Sequence, residues 1–113
     1  MSSNQTEETL AHHLAAVGAG DMGEILSDYT EDSVLLTVDG TMIGLEAIRG
    51  FFERFSEKAS DTFMEKFDMK HQVCDGEVAF IVWCSGTEAP LGTDTFVIRD
   101  GKIVIQTYAA YFI

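Results

Sequence analysis

The chain has 113 residues, 46% of them hydrophobic and only one a proline, so it can bury a core of its own and is too apolar to remain unfolded. Its net charge is −12, and the first 48 residues carry nine carboxylates with no lysine or arginine. That field repels phosphate backbones and anionic lipid, which argues against nucleic acid or a membrane surface as a partner.

The opening MSSNQTEE has neither a basic stretch nor an apolar run, and no segment is long and apolar enough to cross a bilayer, so a cytoplasmic protein is expected. Nothing in the chain reads as a repeat or a linker, which predicts one domain over residues 1–113. A first helix is expected over 6–17, because Leu10, His13, Leu14 and Val17 recur at the spacing of one buried face. GAG stops it, and Asp21 is placed to cap a short second helix that turns Met22, Ile25, Leu26 and Tyr29 inward. SVLLTV reads as a strand ending at Asp39-Gly40, and a third helix runs from about Leu45 to Lys58. It should bury Leu45, Ile48, Phe51, Phe52 and Phe55.

Beyond residue 60 the pattern is all strand: 63–74, 77–86, 91–99 and 102–112, with tight turns at Asp75-Gly76 and Asp100-Gly101. Helices followed by a meander mean an α+β fold. In the register those turns imply, His71 meets Phe80, Met69 meets Val82 and Phe67 meets Cys84 on one apolar face. Thr95 meets Gln106 and Thr93 meets Tyr108 on the continuation of that face. Phe96, Ile98, Ile103 and Ile105 then form an apolar row on the reverse side, which predicts a homodimer through that side.

The segment AGDMGEILSDYTEDSVLLTVDGTMIGLEAIRGFF together with DGKIVIQTYAAYF resembles the nuclear transport factor 2-like superfamily, and within it the SnoaL-like and ketosteroid-isomerase-like branch. The resemblance implies a cone-shaped, curved antiparallel sheet with three N-terminal helices over its concave face. Carried over by position, the isomerase base falls on Thr37, its tyrosine on His13 and its second acid on Thr95, so the resemblance implies shape without that activity. Asp39 and Asp94 lie nearby, and Asp94 is expected on the reverse face. Asp39 itself is either a base at a pocket mouth or half of an Asp-Gly turn. The recurrence of the dipeptide at residues 75 and 100 favours the turn.

The pocket so assembled has walls from Phe51, Phe55, Phe67, Met69, Phe80, Val82 and Phe112, with Thr95 and Gln106 as ligand-contacting polar points. His13 is either a core histidine satisfied by a neighbour or a proton-transferring group facing the pocket. His71, the one ionisable group on its hairpin face, and Tyr108, a hydrogen-bond donor, complete the candidate catalytic set. Such a lining suits a small apolar molecule with one or two oxygen functions, handled by an isomerase, cyclase or dehydratase. A non-catalytic binding or association domain is the alternative. No metal is expected, since His12 and His13 are adjacent and cannot face one site together, and no cofactor-binding loop is present. Cys74 and Cys84 fall too far apart in the expected register to bridge.

Overall fold

The computed structural model describes residues 3–113. Three helices, α1 (Ser3–Ala19), α2 (Met22–Leu26) and α3 (Gly44–Lys58), accompany six strands. These are β1 (Val34–Thr37), β2 (Gly40–Ile43), β3 (Phe67–Asp75), β4 (Val78–Ser85), β5 (Ala89–Arg99) and β6 (Lys102–Tyr111). Asp21 caps α2 as its sequence suggests, its carboxylate accepting from the Glu24 amide at 3.2 Å. Residues 61–65 form turns, so β3 begins four residues later than expected.

The strands form one curved sheet in the order β2-β1-β6-β5-β4-β3. β1 runs parallel to β6, with Val34 opposite Ile105, so the sheet is mixed where a wholly antiparallel one was expected. α1 packs across β3, β4 and β5. The core lies between these layers, built on Leu10, Ile48, Ile81, Phe96, Ile98 and Ile103, none more than 2% exposed. Each such side chain stabilises the fold by roughly 1.5–3 kcal/mol through removal from water.

The turns decide which residues share that core. β5 and β6 are joined at Asp100-Gly101, both with positive φ (52° and 74°), the two-residue geometry that Asp-Gly favours. Two residues into β6 the register slips: Ile98 faces Ile103 but Val97 faces Ile105, leaving Val104 as an extra residue. A one-residue bulge sends every later side chain to the opposite face. Phe96 is thereby paired with Gln106, and Thr95 with Thr107. A second slip falls at Lys70, between Met69 and His71, in β3. The β3–β4 loop is Gly76-Glu77 rather than Asp75-Gly76, with Gly76 at φ 59°.

These slips correct the expected faces. The helices cover Ala79, Ile81, Trp83, Asp94, Phe96, Ile98 and Ile103, all buried. His71, Phe80, Val82 and Thr95 lie on the outer side, where Val73 and Val78 are 43% exposed and Phe80 36%. The row Phe96, Ile98 and Ile103 is therefore core and not a dimer surface. Of the four residues assigned to it, only Ile105 is exposed.

Candidate functional site

Between α1, α3 and the inner sheet face lies a cavity of about 340 Å³, within the range of small-ligand sites. α3 contributes Phe51, Phe52 and Phe55 at helical spacing, and the segment leading into β3 contributes Phe63, Met64 and Phe67. Their rings meet edge-on, for example Phe51 with Tyr108 at 5.3 Å and Phe55 with Phe63 at 5.2 Å between centroids. Trp83 packs against Phe63 and Phe67 and forms another part of the wall. It can cross the sheet only because its partner on β5 is Gly92. A Cβ on that residue would sit 2.3 Å from the indole carbons.

The indole N–H, laid across Gly92, reaches Asp94. Trp83 Nε1 donates to Asp94 Oδ1 at 2.8 Å, and Gln106 Nε2 donates to Asp94 Oδ2 at 2.9 Å. Tyr29, from the loop after α2, donates its hydroxyl to Gln106 Oε1. Asp94 is 7% exposed and lines the cavity. Burial pushes its carboxyl up to about 6, against the pull of the Trp83 and Gln106 hydrogen bonds toward the ionised form. Tyr108, opposite Asp94 on β6, is pushed up to about 12 by burial and by the charges of Asp94 and Asp39, so it stays a donor near neutrality.

His13 enters from α1, edge-on to Phe96, Tyr29 and Phe52. Its Nδ1 is buried without a hydrogen-bond partner among the described residues, and the nearest carboxylate oxygen, Asp28 Oδ2, is 4.0 Å away. Burial, aided by the charge of His12, lowers it to about 4, so the ring is neutral at pH 7. Asp28 is instead held by His12, whose Nδ1 lies 2.8 Å from both carboxylate oxygens and whose Nε2 lies 2.9 Å from Glu24.

The cavity therefore gathers His13, Phe51, Phe55, Phe67, Gln106 and Tyr108 from the candidate set. Met69 packs against the core without lining the cavity, and Phe112 stands behind the wall, stacked on Phe63 at 6.0 Å. His71, exposed and 6.3 Å from the Phe80 ring, lies across the sheet from the cavity, as do Phe80, Val82 and Thr95. Asp39 is exposed in the β1–β2 turn, its amide held by Thr37 Oγ1 at 3.1 Å.

Sequence reasoning missed Asp94 and the inward position of Trp83. One signal was present: a buried tryptophan needs an acceptor for its N–H, and the acidic residue in TDTF lies on the neighbouring strand. Among the described residues no cluster of three potential ligands could hold a metal ion, and both cysteines are free. No helix among them is long and apolar enough to cross a membrane.

No curated protein matches the chain. A nuclear transport factor 2-like protein from Burkholderia xenovorans LB400 superposes with a TM-score of 0.77 at 17% identity, over 97% of this chain and 85% of that one. A candidate polyketide cyclase from Sinorhizobium meliloti gives 0.76 at 16% identity, over 96% of this chain and 100% of that one. A de novo designed protein with a curved β-sheet gives 0.76 at 14% identity, over 98% and 88%. Likeness at these identities is one of fold alone, and one fold can host unrelated chemistries. The model of the SnoaL-like domain matches residues 10–106, and by that match, with a sheet and helices of the same form, the chain belongs to the SnoaL-like branch of the nuclear transport factor 2-like superfamily.

Proposed function

We propose that this domain binds a small, uncharged, largely apolar molecule carrying one or two oxygen functions and moves a proton on it, as an isomerase, cyclase or dehydratase does. The carrying observation is Asp94, a carboxyl in an aromatic cavity whose value of about 6 keeps both protonation states populated near neutrality. It takes the proton-transfer role that the sequence pointed toward histidine. Tyr108 donates a hydrogen bond to the substrate oxygen, and neutral His13 offers a second polar contact. No lysine or arginine lines the cavity, so an anionic ligand would meet Asp94 uncompensated. The sequence of the Sinorhizobium relative is too distant to transfer its cyclase description, yet a cyclisation fits the same apolar, proton-exchanging cavity.

The test is deuterium exchange next to the carbonyl in a panel of cyclic ketones and enols, followed by NMR with wild-type protein and Asp94→Asn. Exchange by the wild type that falls about 100-fold or more in the variant supports the reading. Binding without exchange across the panel establishes the non-catalytic alternative.

A second copy of the chain is the proposed cover for the outer sheet face, which exposes Val73, Val78, Phe80 and Ile105 together. Sedimentation should give a dimer that Phe80→Glu converts to monomer. A single-chain mass for the wild type at micromolar concentration would refute it.

A further inference from the structure

We infer that Tyr29, which is not among the cavity-lining residues, is the positioning residue for Asp94, its hydroxyl setting the side-chain amide of Gln106 so that the NH2 end faces the carboxylate. The two ends of a glutamine amide are nearly the same size, and a half-turn exchanges donor for acceptor. In the observed arrangement every donor points one way: Tyr29 O–H to Gln106 C=O, Gln106 N–H to Asp94 Oδ2, and Trp83 N–H to Asp94 Oδ1. With the amide turned, Gln106 Oε1 would face Asp94 Oδ2, acceptor against acceptor, which only a protonated Asp94 tolerates. Tyr29 would then have to accept from the amide, and its own proton would lose the partner it has now. The neighbouring Asp28 carboxylate is already engaged by His12.

The loop holds Tyr29 at this task by three ties to the start of β6. Lys102 Nζ donates to Ser27 O at 2.6 Å, the Ile103 amide donates to Asp28 O at 2.7 Å, and Ser33 Oγ donates to Ile103 O at 2.6 Å. The backbone that carries Tyr29 and the strand that carries Gln106 thus move together. The groups facing Asp94 are few. β4 supplies Trp83, β6 supplies Gln106 and Tyr108, and α1 supplies His13, while α3 and the segment before β3 supply only apolar side chains. Two further charges stand behind these groups, Asp28 acting on the Tyr29 phenol and Asp39 on the Tyr108 phenol, rather than on Asp94. None of these could take over the orientation of Gln106.

The inference builds on Asp94 as the ionisable group of the proposed function, but it is tested on ionisation alone and so can fail or survive independently of turnover. The measurement is the carboxyl 13C titration of Asp94 by NMR, assigned with Asp94→Asn, in full-length wild type, Tyr29→Phe, Gln106→Met and the double variant. Tyr29→Phe should raise the midpoint by about one pH unit, a roughly tenfold tighter hold on the proton. The double variant should match Gln106→Met, because the effect runs through the amide. A merely structural role gives the opposite sign, since loosening admits water and lowers the midpoint toward that of an exposed carboxyl. An unchanged or lowered midpoint in Tyr29→Phe therefore overturns the inference, as does a further rise when Tyr29→Phe is added to Gln106→Met. Should Tyr29→Phe fail to fold, the wild-type ring 13Cζ of Tyr29 must follow the Asp94 midpoint, and a flat response across it is equally decisive against the relay.

Discussion

Asp28 and Asp94 expose nearly the same small fraction of their surface, 5% and 7%, though Asp94 lies deeper in the protein, and burial raises both carboxyls above their ordinary range. Their partners differ. Asp28 faces an imidazole that it helps to charge, since Glu24 and Asp28 together raise His12, and Lys102 lies nearby. Asp94 faces only neutral donors, Trp83 and Gln106. The first arrangement clasps α1 to α2. The second holds a carboxyl raised to about 6 beside an apolar cavity, a setting suited to exchanging a proton with a ligand. Low exposure alone does not separate these two carboxyls; their depth and the charge of their partners do.

The largest expected effect separates the two directly. Asp94→Asn should cost about 10²–10⁴-fold in any proton-transfer turnover, while Asp28→Asn leaves turnover within a few-fold. Comparable losses in well-folded forms of both variants would erase the distinction.

A second test uses pH. Asp94, raised from 3.8 to about 6, contributes stability that is present below pH 4 and lost as pH rises through 6. His13, lowered from 6.5 to about 4, contributes stability that is present above pH 6.5 and lost as pH falls through 4. Each displacement is worth about 3 kcal/mol, and over pH 4–6 the two oppose each other. Urea unfolding across this range should show Asp94→Asn gaining on the wild type as pH rises, and His13→Gln gaining as pH falls. Parallel curves for all three proteins would mean that neither group is buried as described.

Next comes Gly92→Ala. The added methyl would lie 2.3 Å from the indole carbons, so Trp83 must swing away and surrender its bond to Asp94. A loss of roughly 2–3 kcal/mol is expected, together with a higher Asp94 midpoint. Asp28→Asn should have a smaller effect, returning the His12 midpoint toward 6.5 and lowering Tm by a few degrees below that midpoint. The stability that His12 contributes is present below pH 6.5 and lost as pH rises through its raised value, while the raised Asp28 carboxyl costs the wild type stability once ionised. The deficit of the variant should therefore shrink and then reverse at high pH. Smallest of all, Asp39→Asn should change stability by no more than about 0.5 kcal/mol and leave turnover intact, as an exposed turn residue predicts.

Much of this molecule was legible in its sequence. Apolar spacing located the inward faces of α1 and α3, Asp21 marked the start of α2, and Asp100-Gly101 marked the last hairpin. These are local matters of side-chain period, capping and φ preference, and a few neighbouring residues suffice to decide them. Which sheet face the helices would roof was not local. Alternation told which residues of β4 and β5 share a side, Phe80 with Thr95 and Ile81 with Asp94, but not which side would be inside, because both carry apolar rows. Two extra residues, Lys70 in β3 and Val104 in β6, then reversed the alternation within their strands. They brought Phe67, Gln106 and Tyr108 to the cavity and left His71 outside, while Thr95, on β5, lies outside because the helices roof the other face. A bulge is set by how neighbouring strands twist and pack, so no period within one strand announces it. Asp94 was placed by that packing alone: its residue type was visible, but its partners came from β4 and β6, and Gln106's own partner, Tyr29, from a loop 65 residues upstream.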